Sequence, residues 1–68
     1  MIVTIGSRIH VRVVRPDGAF FWLPARITAT SRDHLICDLD HGVPGMQVQM
    51  KGMMKAKADF EREWRLPQ

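Results

Sequence analysis

Apolar and polar positions alternate cleanly from Arg8 to Val14: Ile9, Val11 and Val13 point one way, His10 and Arg12 the other. A period of two marks a strand with one buried face. Arg15-Pro16-Asp17-Gly18 ends the run with Pro at the second turn position and Gly at the fourth, as a type I turn prefers. In the next run Phe21, Leu23, Ala25, Ile27 and Ala29 form the apolar face, and Phe20, Trp22, Arg26, Thr28 and Thr30 the other. Pro24 cannot donate to a ladder, so it belongs on an edge or at a bulge or bend. Ser31-Arg32-Asp33 then turns the chain into a third strand, where Leu35, Cys37 and Leu39 alternate with Ile36, Asp38 and Asp40. Two such runs joined by a tight polar turn read as a β-hairpin.

Beyond Leu39 the pattern changes. His41-Gly42-Val43-Pro44-Gly45 reads as a loop with Gly42 as a turn residue. Met46, Val48 and Met50 alternate with Gln47, Gln49 and Lys51, which predicts a fourth strand. At the other end Ile2, Val3 and Ile5 suit a short strand before Gly6-Ser7. After Gly52 the residues are good helix formers, and Met53, Ala56, Phe60 and Trp64 fall on one stripe. Opposite charges four apart (Lys55 with Asp59, Lys57 with Glu61, Glu61 with Arg65) support a helix over 53–65, with Pro67 beyond its end. A last strand is the alternative, because Phe60, Arg62, Trp64 and Leu66 also alternate. The expected fold is mainly β: one small five-stranded barrel domain with a short C-terminal helix. Its expected core is Ile9, Val11, Val13, Phe21, Ile27, Leu35, Leu39 and Val48.

Composition narrows the setting. A chain of 68 residues buries only roughly 60% of the surface its unfolded form exposes. Cys37 is the single cysteine, so no disulfide supports the core, and the ligands of a structural zinc site are not laid out. Small domains without staples often gain stability by association, so a homodimer or higher oligomer is expected. The lone thiol fits a reducing cytoplasm, and no apolar run approaches the roughly 20 residues that span a membrane. The net charge is +3. Residues 1–30 carry four arginines against Asp17, and 31–45 carry Arg32 against Asp33, Asp38 and Asp40. Residues 46–68 carry five basic groups against three acidic ones. Basic ends around an acidic middle allow an anionic partner without demanding one.

Asp17-Gly18, Trp22, Ala25-Arg26-Ile27 and Leu39-Asp40-His41-Gly42 together resemble the signature of Tudor-type small barrels, the Src-homology-type β-barrel architecture. In that family an aspartate-glycine turn leads into an aromatic-rich strand ending in Ala-x-Val/Ile. The next strand ends in Asp-Tyr/His-Gly. The resemblance spans about residues 6–50 and implies a binding module, whose relatives hold methylated tails, other peptides, RNA or DNA, or serve as adaptors. Readers of methylated side chains enclose the cation in a cage of about four aromatics. Phe20, Phe21 and Trp22 would supply part of one, but the chain has no tyrosine and His41 stands where the family often has an aromatic hydroxyl.

The candidate ligand-binding residues are Arg12, Phe20, Trp22 and Arg26, since basic groups beside exposed aromatics suit phosphates and stacked bases. A protein segment is the other ligand this patch would take. An assembly role is the alternative, through oligomerisation and a helix face carrying Phe60 and Trp64. No cofactor is expected. His10, His34 and His41 include metal-ligand types, but alternation points Cys37 away from Asp38 and Asp40. Cys37 itself reads as a buried, inert thiol. A remote enzyme alternative rests on Val48-Gln49-Met50, which resembles the Val-Gln-Ile-Tyr segment of type II dihydrofolate reductases, with Lys51 in place of the tyrosine. Otherwise the residues point to a non-enzymatic binding module.

Overall fold

The alternating runs become strands in the computed structural model, which describes residues 3–67. The strands are β1 (Arg8–Val14), β2 (Phe20–Thr30), β3 (His34–Leu39), β4 (Met53–Ala56) and β5 (Trp64–Arg65). They form one antiparallel sheet in the order β4-β3-β2-β1-β5, curled into a half-barrel. A single turn of 3-10 helix, Lys57–Asp59, carries the chain from β4 to β5. The inner face buries Ile9, Val11, Val13, Ala25, Ile27, Leu35, Cys37, Leu39, Val43 and Trp64. Of the residues expected inside, Phe21 is only half-buried.

The β1–β2 hairpin follows from its turn. The Gly18 N–H donates to the Arg15 carbonyl at 2.9 Å, and Gly18 adopts φ +90°, which glycine enters without a Cβ penalty. The Asp17 carboxylate accepts the Ala19 N–H and both an Nε–H and an Nη2–H of Arg15. Pro24 sits opposite His10 in the middle of β2. Its carbonyl accepts from Asp40, on the side where β3 has already ended at Leu39. The missing proline N–H therefore falls just past the end of the β2–β3 ladder, where no regular strand bond is lost. Register between β2 and β3 shifts between Ile27 and Ala29, a bulge that helps the sheet curl.

Three expectations are corrected. No helix forms over 53–65: Met53–Ala56 pairs with β3, and Glu61 has φ +70°, which an α-helix cannot hold. The charge pairs favouring a helix are worth only about 0.2–0.5 kcal/mol each. Burying Trp64 against the sheet outweighs them, since removing a buried Trp side chain costs about 3–5 kcal/mol. Secondly, residues 46–50 form a loop rather than a strand, and Val48 is 59% exposed. Val43 enters the core in its place, and the loop is fastened by specific bonds instead of a ladder. The Leu39 N–H donates to Met50 O, Gln49 Nε2 donates to Leu39 O, and the Gly52 N–H donates to Asp38 Oδ1. Arg15 Nη1 donates to Pro44 O at 2.7 Å. Thirdly, Val3 and Ile5 lie outside any strand, while Ile2 lies outside the described residues.

Candidate functional site

The outer face of β1, β2 and β5 gathers aromatic rings and arginines. Strand register sets Arg12 opposite Trp22 and Val14 opposite Phe20. Because the Arg12 N–H is turned toward β5, where it donates to Glu63 O at 2.9 Å, Arg12 and Trp22 form a non-hydrogen-bonded pair. Such pairs are the closer kind, with Cα atoms about 4.5 Å apart. The Arg12 guanidinium carbon lies over the Phe20 ring, 4.9 Å from its centroid. From the other side β5 pairs Arg65 with His10, and the Arg65 guanidinium covers Trp22 at 4.0 Å. Phe20 remains 54% exposed and Trp22 is half-buried.

The chain's ion pairs decide which arginines remain available. Among the described residues Arg8 pairs with Asp40 at 2.8 Å, Arg15 with Asp17 at 2.8 Å, and Arg62 with Asp59. Arg12 meets Glu63 only at 3.9 Å, and no carboxylate of the described residues reaches Arg26 or Arg65. Arg15 also lies over Phe21, 5.1 Å from the centroid, so its bonds to Asp17 and Pro44 make it a structural clasp.

Three of the four residues expected to bind ligand, Arg12, Phe20 and Trp22, thus converge. Arg26 shares their face but stands four residues beyond Trp22, about 13 Å along the strand. Its cross-strand neighbours are Arg8 and Asp38. Arg65 completes the cluster and is the member that pattern reading misses, because only the β1–β5 register reveals it. A strand of two residues, Trp64–Arg65, carries no period that would have signalled it.

Phe60 and Trp64 occupy different ground from the expected helix face. Trp64 is 1% exposed, opposite Val11, and its indole N–H donates to Ala56 O at 2.9 Å. Phe60 is half-buried and packs on Trp64 with centroids 4.9 Å apart and rings tilted by 59°. Trp64 therefore offers no surface to a partner, and Phe60 only part of one.

Cys37 is buried, its Sγ 3.6 Å from Met53 O, and burial pushes the thiol pKa up. Nearby Lys55 opposes that shift and Asp38 adds to it. Among the described residues no three His, Cys, Asp or Glu side chains gather as metal ligands would. Val48 and Gln49 lie exposed in the loop, with the Gln49 amide engaged by Leu39. No helix of the described residues is long and apolar enough to cross a membrane. Comparison with known proteins brings out no relative: no family model, no curated protein and no solved structure matches the chain.

Proposed function

We propose that this chain is a non-enzymatic binding module of the Tudor-like small-barrel type. Its ligand face is the outer surface of β1, β2 and β5, and its ligand is single-stranded nucleic acid. The observation that carries the reading is the packing of Arg12 and Arg65 on Phe20 and Trp22, with no carboxylate among the described residues paired to Arg65. Single strands are held in this way, by aromatic surfaces for bases and cations for the backbone. Arg26, further along the face, extends the cationic track. The cage of a methylated-cation reader finds less support, because Phe20, Phe21 and Trp22 each already carry an arginine of the chain itself. The single buried thiol suits a reducing cytoplasm.

A protein ligand is the second reading. It is favoured by the apolar cross-strand pairs Val14 with Phe20 and Ile36 with Met54 on the same outer surface. Titration of a labelled oligonucleotide at several salt concentrations separates the two. Phosphate contacts make log K fall with log salt by about 0.7 for each contact to a single strand. Trp22→Ala should weaken binding by about 1–3 kcal/mol. Arg12→Ala should weaken it and flatten the slope by about 0.7. A shallow slope in the wild type, or none of these losses in variants that remain folded, would refute the nucleic-acid reading.

A further inference from the structure

Within the proposed nucleic-acid reading, on which this step rests, we infer that Arg65 and Arg12 act as a paired phosphate clip. Trp22 and Phe20 are the platforms that hold the two guanidiniums, and Glu63 is the internal anion that a phosphodiester displaces from Arg12.

Trp22 is the natural choice for a base-stacking residue, yet the structure gives one of its faces to Arg65, whose guanidinium carbon is 4.0 Å from the ring centroid. A guanidinium lying over a ring keeps its N–H edges in its own plane, directed sideways, where they form a fork suited to phosphate oxygens. Its side chain is already ordered, so less freedom is lost when an anion arrives. Arg12 is prepared in the same way over Phe20, and the cross-strand pairing of Arg12 with Trp22 sets the two ring-and-arginine pairs side by side on one face. The exposed remainder of Phe20 is left for a base.

Glu63 supplies the only carboxylate of the described residues that approaches either arginine. At 3.9 Å it lies beyond hydrogen-bonding distance, with both side chains about one-third exposed, at 37% and 34%. Such solvated pairs are weak. Glu63 therefore offsets part of the positive potential without blocking Arg12, and a phosphate forming direct N–H bonds outcompetes it. Among the described residues Arg65 has no equivalent competitor. The assignment makes Arg65 a binding residue, Trp22 chiefly a positioning residue, and Glu63 a brake on affinity.

The test is fluorescence anisotropy of a labelled oligothymidylate of about 12 nucleotides, a length within the usual footprint of a small barrel. The full chain is titrated at several salt concentrations. Arg65→Ala should weaken binding about tenfold and flatten the log–log slope by about 0.7, one lost phosphate contact. Arg65→Lys keeps the charge but not the flat fork, so it should retain the slope while binding about threefold more weakly. Glu63→Gln should bind about threefold more tightly than wild type. Arg65→Ala with wild-type affinity and slope would overturn the clip, as would Glu63→Gln that binds no more tightly than wild type. Arg65→Lys and Glu63→Gln preserve size and keep the test decisive if Arg65→Ala misfolds. Failure of the underlying reading looks different, because wild type itself would then bind without salt dependence or not at all.

Discussion

Replacing Trp64 by alanine should unfold this domain. The side chain is 1% exposed, contacts Phe60, sits opposite Val11, and fixes β4 to β5 through the 2.9 Å bond from its indole N–H to the Ala56 carbonyl. Truncating a buried Trp costs about 3–5 kcal/mol through lost burial and the cavity left behind. A domain of this size rarely holds more than about 3–5 kcal/mol of stability in its core, so the loss is comparable with the total. Trp64→Phe separates the contributions. It keeps an aromatic ring but leaves the Ala56 carbonyl without its donor, which costs about 1–3 kcal/mol. Urea denaturation followed by far-ultraviolet circular dichroism measures both, and Trp22 remains as a fluorescent probe in each variant. The reasoning would be refuted if Trp64→Ala stayed folded with its midpoint near wild type. That result would return Trp64 to the surface role in partner contact that a helical face had suggested.

Glu61→Gly distinguishes the turn from a helix directly. In a helix interior the glycine would cost about 1 kcal/mol. At φ +70° it relieves a left-handed conformation worth about 1–2 kcal/mol, so the observed change in stability should be near zero or favourable. Cys37 should resist an aromatic disulfide reagent in the native state and react only as fast as the domain opens, as the stopped-flow rate against urea will show. Because burial raises its folded pKa, the stability linked to this thiol is complete below the unfolded thiol pKa. It is lost as pH rises through the folded value, so urea midpoints should decline on the alkaline side and Cys37→Ala should remove that decline. Sedimentation velocity should show a homodimer or higher oligomer, given a small core supported by no disulfide. A monomer at every concentration would reject that expectation.

The sequence made β1, β2 and β3 legible because each buries one face and water enforces the period of two. The same rule identified Ile9, Val11, Val13, Ile27, Leu35 and Leu39 as core. It failed at 46–50, where alternation exists but isolated bonds, from Met46 N–H to Val43 O and from Leu39 N–H to Met50 O, stand in place of a ladder. Val43, beside two glycines and a proline, supplies the apolar anchor instead. It failed again at 53–65, where weak local preferences for helix opposed a tertiary demand. The free side of β3 needed a partner, and the half-barrel needed Trp64 to fill it. Most of the candidate site could be read for the same reason as the strands, since Arg12, Phe20 and Trp22 occupy the polar faces of two paired runs. Arg65 was hidden because a strand of two residues, Trp64–Arg65, has no period to detect. Register sets it opposite His10, and its long side chain reaches from there over Trp22.

The most direct test of the ligand face uses the two indole N–H signals, from Trp22 and Trp64, in a heteronuclear correlation spectrum during titration with an oligothymidylate. If the outer face of β1, β2 and β5 holds the strand, the Trp22 indole should shift with the amides of Arg12, Val14, Phe20 and Arg65, and the buried Trp64 indole should stay in place. Shifts confined to the 40–52 loop or to the Ile36 and Met54 surface, with Trp22 unmoved, would contradict the account.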